Sequence, residues 1–203
     1  MSLEKIKKEA FKKPPFFISY LITDPIEFGN TPTKLKQALT NSLQKYCVDI
    51  VCFRDKTSQN KEELAKVCLD VAKKFGIDKV LINSDIELCH KLGFDGIHLN
   101  STQFSKLEEL EQSSLYTMIS CHTQEEIAIA KNYKTDAVTY SPIFFKEHKG
   151  KPKGIKNLEE IVTKYQDENF SIIALGGIVT NENVQQIVKT QAKGFASIRY
   201  FKV

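Results

Sequence analysis

Eight short apolar runs alternate along the chain with segments of helical spacing, and this alternation limits the fold more than any other feature. The apolar runs lie at 16–23, 49–54, 79–83, 96–100, 116–120, 137–144, 171–177 and 195–199. The helical patterns between them lie at 33–46, 61–76, 85–93, 103–112, 123–133, 157–166 and 181–191. Continuous apolar strands are typical of a sheet buried on both faces. Strand–helix alternation indicates parallel strands joined by right-handed crossovers.

Eight such units predict an α/β protein, a single-domain (β/α)8 TIM barrel over residues 1–203. An open, doubly wound sheet is the alternative, because periodicity does not show whether a sheet closes. No helical pattern follows the last strand, so we expect the eighth helix to be absent. The segment 1–14 places Leu3, Ile6 and Ala10 on one helical stripe, which predicts an N-terminal helix over the open flank. Formation of a homodimer is the other way to cover that flank.

Composition and charge narrow the functional classes. The chain is 41% hydrophobic and 27% charged, with a net charge of +4. The positive excess lies mostly in residues 1–13 and 146–154, too local to indicate a nucleic-acid partner. No run approaches the roughly 18 apolar residues of a membrane span, and no signal peptide is visible. Five cysteines without a CxxC pair indicate neither a disulfide framework nor a zinc site, so we expect a cytoplasmic protein with reduced thiols.

The end of the second strand carries clustered charges. In a barrel of this kind the chemistry lies at the C-terminal ends of the strands. Period-2 alternation puts Cys52, Arg54 and Lys56 on one face. Two cations near the mouth indicate an anionic ligand, because a planar guanidinium suits phosphate. A surface ion-pair cluster with Asp55 is the alternative. Asn83, which ends the third strand, either contacts a ligand or belongs to the cap of the next helix.

Histidines stand in the fourth strand and at the end of the fifth. His98 is flanked by apolar residues, and a lone histidine in a buried strand is more often a hydrogen-bonded core residue than a catalyst. Ser120 and His122 share a face, but no nucleophile elbow surrounds the serine and no acid is placed to orient the histidine. We therefore set a hydrolase aside. Thr123 and Glu126 predict a capping box for the following helix.

The last three strand ends suggest a lid and a phosphate site. The charged segment 146–154 lies in the longest loop, and loops of this size are often lids, although mobile solvated surface is a fair alternative. Gly176 and Gly177 stand between a strand and a helix, where backbone N–H groups can bind an anion. Barrels often bind phosphate after the seventh and eighth strands. Arg199 can therefore join that site, with packing or a surface role as its alternative.

The strand ends, taken in order, resemble those of the thiamine-phosphate synthase/TenI superfamily of (β/α)8 barrels. The matching stretches are YLITD, FRDK, GFDGIHL, ISCHTQEE, DAVTYSPIF and IIALGGIVTNENV, in register over about residues 16–201. Each stretch is modest alone, but their order and spacing together are specific. The resemblance implies the barrel fold and a role in thiamine biosynthesis.

The resemblance also implies roles for individual positions. In the synthase branch, an arginine and a lysine bind the pyrophosphate of hydroxymethylpyrimidine pyrophosphate, Mg²⁺ helps that group to leave, and a thiazole phosphate attacks the pyrimidine. By alignment, the pyrophosphate and pyrimidine positions are Arg54, Lys56, Asn83, Ser120 and Lys149. Gly176 and Gly177 match the thiazole-phosphate position.

This sequence departs from the synthase pattern where the metal binds. The two magnesium-binding aspartates are Ser84 and Gln103 here, and a usual glutamine is Cys52. Mg²⁺ usually needs one or two carboxylates beside the phosphates. The departures therefore predict no cofactor, with Mg²⁺ required only if the chain is a synthase after all.

The TenI branch also lacks these aspartates. Its characterised members aromatise a thiazole carboxylate phosphate tautomer, which needs a general acid or base but no metal. The histidine that this branch uses falls at Pro142 here, so the candidate catalytic groups are Cys52, His122 and His148. The favoured function is a TenI-like protein that binds a thiazole phosphate, as a tautomerase if it is an enzyme. The alternatives are a divergent thiamine-phosphate synthase and a non-catalytic, ligand-binding or regulatory protein.

Overall fold

Eight parallel strands close into a barrel, in the order of the sequence, in the computed structural model, which describes residues 13–145 and 150–203. The strands are β1 (Ile18–Ile22), β2 (Ile50–Phe53), β3 (Lys79–Asn83), β4 (Gly96–Leu99), β5 (Tyr116–Cys121), β6 (Ala137–Tyr140), β7 (Ser171–Leu175) and β8 (Gly194–Ser197). β1 pairs with β8 from Ile18 opposite Gly194 to Leu21 opposite Ser197. This pairing closes the sheet, so the predicted (β/α)8 barrel is confirmed and the open sheet is wrong.

Helices connect the strands on the outside of the barrel. They are α1 (Pro25–Phe28), α2 (Pro32–Lys45), α3 (Lys61–Lys74), α4 (Ile86–Leu92), α5 (Leu107–Leu110), α6 (Gln124–Asn132), α7 (Gly154–Tyr165) and α8 (Asn181–Lys189), with 3₁₀ turns at Phe104–Lys106 and Arg199–Phe201. Helix α1 was not predicted, because one turn is too short to show helical periodicity. None of the described helices is long and apolar enough to cross a membrane.

The core has an inner and an outer part. The inner part fills the barrel with side chains of Tyr20, Ile22, Ile50, Cys52, Leu81, Met118, Ala137, Ile173 and Ala196. The outer part lies between the strands and the helices. All four residues of β2, β4, β6 and β8 are buried, since both faces of these strands are covered. This is why the strands appear in the sequence as continuous apolar runs.

An aromatic cluster packs beside the seam between β8 and β1. Phe195 stacks on Phe17 and Phe201 at ring-centroid distances of 6.0 and 5.6 Å. Tyr200 meets Phe195 edge-on at 5.0 Å, and Tyr46 lies 5.5 Å from Tyr200. A 3₁₀ turn, and no α-helix, follows β8 in the described chain, as expected. The predicted N-terminal helix falls almost entirely on residues outside the described part of the chain.

Aspartates before alternate strands fix the lower rim of the barrel. Each accepts a backbone N–H from the neighbouring, preceding strand. The pairs are Asp49 Oδ2 with Ser19 N at 2.7 Å, Asp95 Oδ2 with Val80 N at 2.8 Å, and Asp136 Oδ2 with Thr117 N at 2.7 Å. These bonds satisfy N–H groups at the starts of the strands. They lie at the end of the barrel opposite its C-terminal mouth.

Candidate functional site at the C-terminal mouth of the barrel

Polar side chains of four strands meet inside the barrel just below its C-terminal mouth. Tyr20 Oη lies 2.7 Å from Nδ1 of His98, and Nε2 of the same ring lies 3.0 Å from Ser120 Oγ. Thr139 Oγ1 lies 3.3 Å from both His98 Nε2 and Ser120 Oγ. Tyr20, His98 and Thr139 are buried, whereas Ser120 is half-buried and borders the mouth. The layer is a satisfied polar network, which fixes the orientation of Ser120.

Burial decides the charge of His98. Desolvation, assisted by the nearby positive charge of Arg54, lowers the pKa of His98 to about 3. The ring is therefore neutral at physiological pH, so one of its nitrogens donates a hydrogen bond and the other accepts one. Sequence analysis interpreted His98 as a hydrogen-bonded core residue, and the structure agrees. It missed the contact with Ser120, which links this histidine to the predicted ligand site.

We expect stability to fall in acid because of His98. Its pKa in the folded state lies below that of an unfolded histidine, near 6.5, so the unfolded state binds the proton more tightly. Stability is full above pH 6.5 and is lost as the pH falls toward 3. Between pH 6.5 and 5 the loss from this residue is about 2 kcal/mol. Urea unfolding at both pH values should show this difference in the natural protein and a smaller one in His98→Gln. Equal pH dependence in the two would contradict it.

Arg54 lies at the end of β2 and forms an ion pair. Its Nη1 lies 2.6 Å from Asp24 Oδ2, and its backbone N donates to Thr23 Oγ1 at 2.9 Å. The alternative cluster with Asp55 is not formed among the described residues, because the carboxylate of Asp55 accepts the backbone N–H groups of residues 57 and 58. Burial alone would raise the pKa of Asp55, but these hydrogen bonds lower it. Lys56 is exposed.

Cys52 lies inside the barrel, below Arg54. The residue is fully buried, and burial raises the pKa of its thiol to about 12, against the opposing hydrogen bond from Tyr20 and the charge of Arg54. A thiol with such a pKa stays protonated at neutral pH, and the thiolate is the reactive form. Cys52 is therefore a poor proton acceptor at neutral pH.

His122 follows β5 on the same face as Ser120 and is half-buried. Its Nδ1 lies 3.0 Å from the carbonyl oxygen of Ser141 and 3.2 Å from the hydroxyl of the same residue. A carbonyl can only accept a hydrogen bond, so this contact assigns a proton to Nδ1, and in the neutral tautomer the lone pair lies on Nε2. The predicted capping box of Thr123 and Glu126 is present and anchors the helix that follows. The contacts with Ser141 and the capped helix that follows thus fix the orientation of the His122 ring.

Neutral side chains join the ends of β3 and β4. Asn100 Nδ2 donates to Ser84 Oγ at 3.0 Å, and Gln103 Nε2 donates to the carbonyl oxygen of Ser84 at 2.9 Å. Gln103 Oε1 in turn accepts the backbone N–H of Asn100 at 3.1 Å. We call Ser84, Asn100 and Gln103 the neutral clasp. Asn83 beside it donates to the carbonyl oxygen of His98 at 2.8 Å.

A cavity of about 320 Å³ opens between the ends of β7, β8 and β1. Gly176, Gly177 and Arg199 line it, together with the acidic residues Asp24 and Glu27. The glycines have φ angles of 98° and 71°, a region that side chains rarely adopt. The structure therefore brings together the three residues predicted for phosphate binding.

The sequence matches a family model described as thiamine monophosphate synthase (TMP-TENI) over residues 19–201. The chain belongs to this family. The resemblance noted from the strand ends is thereby confirmed at the level of the superfamily, which is one of thiamine biosynthesis.

Relatives and solved structures of this family cover most of the chain. The thiamine-phosphate synthase of Caldicellulosiruptor saccharolyticus is 25% identical over 199 residues, which is 95% of this chain and 86% of that protein. The enzyme of the same name from Lactococcus lactis subsp. cremoris is 28% identical over 161 residues, 74% of this chain and 72% of its own. The structure of thiamine phosphate pyrophosphorylase from Pyrococcus furiosus superposes with a TM-score of 0.74 at 19% identity, covering 90% and 86% of the two chains. At that identity the superposition shows the fold.

The Mg²⁺ that the synthase branch of this family implies does not fit the groups that the structure describes at the two metal positions. Ser84 and Gln103 of the neutral clasp stand at the two metal positions. The Asn100 amide bonds to the Ser84 hydroxyl, and the Gln103 amide bonds to the backbone of Ser84 and Asn100. The nearby carboxylate of Asp85 is also committed, to Lys61 at 2.7 Å and to the backbone N–H of Leu88 at 3.0 Å. Within residues 13–145 and 150–203, no three His, Cys, Asp or Glu side chains are grouped to hold a metal.

The predicted site residues of this TMP-TENI protein fall into separate places. At the mouth lie Arg54, Asn83, Ser120 and His122, and in the cavity Gly176, Gly177 and Arg199. Cys52 is in the inner core, and Lys56 faces solvent. His148 and Lys149 lie outside the described residues, so their predicted roles stay predictions.

Proposed function

We propose that this chain is a TenI-like member of its family that binds a thiazole phosphate and converts a thiazole carboxylate phosphate tautomer into its aromatic form without a metal. The neutral clasp carries this proposal, because it occupies the place of the metal carboxylates with groups that are bonded to each other. A tautomerisation suits such a site, since it moves a proton and releases no charged leaving group that a cation would have to stabilise.

In this proposal the cavity binds the phosphate of the ligand, and His122 transfers the proton. The phosphate binds at Gly176 and Gly177 with Arg199 on the rim, where backbone N–H groups and a guanidinium offset its charge. Nε2 of His122 takes a proton from one position of the ligand, and a proton is returned at another, so the composition of the ligand does not change. Ser141 holds the opposite nitrogen and keeps the imidazole in the required tautomer.

The proposed activity can be tested with the thiazole tautomer as the substrate. The protein is treated with EDTA, mixed with the tautomer, and the aromatic product is followed by NMR against the uncatalysed conversion. Acceleration that is unaffected by EDTA is expected. Conversion at the uncatalysed rate, in a protein that still binds the aromatic thiazole phosphate, would contradict the catalytic part and leave a ligand-binding role.

The second candidate is a thiamine-phosphate synthase that works without the usual carboxylates. It is supported by Arg54, Asn83 and Ser120, which the fold brings to one mouth at the positions that bind pyrophosphate and pyrimidine in that branch. Both relatives compared above are named thiamine-phosphate synthases. The neutral clasp favours the tautomerase, because departing pyrophosphate carries negative charge that a metal normally offsets, and the clasp offers no carboxylate to hold a metal.

A further inference from the structure

Arg54, the arginine predicted to hold an anionic ligand, already holds a carboxylate of its own chain. Its Nη1 lies 2.6 Å from Asp24 Oδ2. The two side chains are only 28% and 19% exposed, so water screens the pair less than it would a surface salt bridge. A ligand anion reaching Arg54 must therefore compete with a partly buried carboxylate.

The position of Asp24 does not depend on Arg54. Its other oxygen, Oδ1, accepts the backbone N–H of Ile26 at 3.0 Å and caps the first turn of α1. Pro25 at the first helical position fixes the backbone there. The carboxylate is thus anchored beside the guanidinium by local structure, and it stays at the mouth whether or not Arg54 turns to a ligand.

Asp24 also lines the cavity that contains Gly176, Gly177 and Arg199. Its negative charge consequently lies between two groups of anion-binding residues, Arg54 on one side and the glycine loop on the other. A phosphate or pyrophosphate bound at either place meets a carboxylate of like charge, which opposes its binding.

We propose that Asp24 is an internal competitor for the anion site of this barrel. It pairs with Arg54 in the free protein, and an anionic ligand that binds replaces it as the partner of the guanidinium. The exchange weakens the binding of simple anions and favours ligands that make further contacts in the mouth. The proposal holds for either candidate reaction, because it concerns the free site and inorganic anions.

The test compares two neutralised acids in the same cavity. Asp24→Asn removes the competing charge but keeps an oxygen to cap α1, since asparagine and aspartate are equally good N-cap residues. Glu27→Gln is the matched control, because Glu27 lies on the same helix and cavity wall but pairs with Lys202 at 2.5 Å. Binding of inorganic pyrophosphate without Mg²⁺ is measured by calorimetry, and thermal unfolding verifies that each variant folds.

Asp24→Asn is expected to bind pyrophosphate about tenfold more tightly than the natural protein. Glu27→Gln should change the affinity much less, and the double variant Asp24→Asn/Arg54→Gln should lose the gain. Unchanged or weaker binding by Asp24→Asn would overturn the proposal and make Asp24 an orienting partner of Arg54. An equal gain in Glu27→Gln would show that the effect comes from net charge alone, and this would also overturn the proposal. No binding of pyrophosphate by any variant would show that Arg54 is not an anion site.

Discussion

Replacing His122 with glutamine is expected to lower kcat of the proposed tautomerisation by at least about 100-fold, with a small change in KM. A glutamine amide can still donate to the carbonyl of Ser141, so the local contact can survive. It has no basic nitrogen, so the proton transfer assigned to Nε2 is lost. Steady-state kinetics with the thiazole tautomer measure kcat and KM separately.

The control for this prediction is His90→Gln. His90 is exposed on α4 and belongs neither to the polar layer nor to the lining of the cavity at Gly176 and Gly177. It should leave both kinetic constants close to those of the natural protein. Unchanged kcat in His122→Gln would show that another group moves the proton, and His148 would then be the remaining histidine of the predicted set.

Gly177→Ala is expected to destabilise the protein and to abolish most of its affinity for a thiazole phosphate. A Cβ at this position would lie 2.5 Å from the carbonyl oxygen of Phe145 and 2.7 Å from that of Phe144. Both are backbone atoms, so the loop after β6 or the loop after β7 must move. Since the loop after β7 lines the cavity, we expect affinity to fall more than about tenfold and unfolding free energy to fall by about 3 kcal/mol.

Gly93→Ala separates the two causes of this effect. Gly93 has the same φ angle of 71°, but a Cβ there would meet nothing within 4 Å. It should therefore show the cost of the backbone conformation alone, about 1–2 kcal/mol, and normal ligand affinity. Urea unfolding and calorimetry with the thiazole phosphate provide the comparison. Equal destabilisation in the two variants would argue against the close approach of the two loops.

The number and order of the strands were predictable because every strand of this barrel is buried on both sides. The length of a strand was less predictable where the loop that follows it is also buried. The sixth apolar run was expected to be a strand to residue 144, but β6 ends at Tyr140. Ile143 and Phe144 are apolar because their side chains pack against the core, while their backbone N–H groups donate to the carbonyl oxygens of Leu175 and Gly176. Hydrophobicity shows burial, and it does not show whether a strand or a packed loop is buried.

The glycine loop after β7 and the place of Arg54 at the mouth were predictable from their positions at strand ends. The partners of these residues were not, because they depend on register and closure. His98 pairs in register with Met118, which places Ser120 on the same face two residues nearer the mouth. The Asp-Pro pair at residues 24 and 25 is a readable signal for a helix start. That Asp24 also holds Arg54 follows only from the neighbouring ends of β1 and β2.

The most direct test of the proposal that this site works without a metal is a synthase assay. Formation of thiamine phosphate from hydroxymethylpyrimidine pyrophosphate and thiazole phosphate is measured with Mg²⁺ and with EDTA. We predict no product in either condition from protein that binds the thiazole phosphate, because the neutral clasp offers no carboxylate to a metal. Product that forms with Mg²⁺ and disappears with EDTA would contradict the account and identify the chain as a synthase.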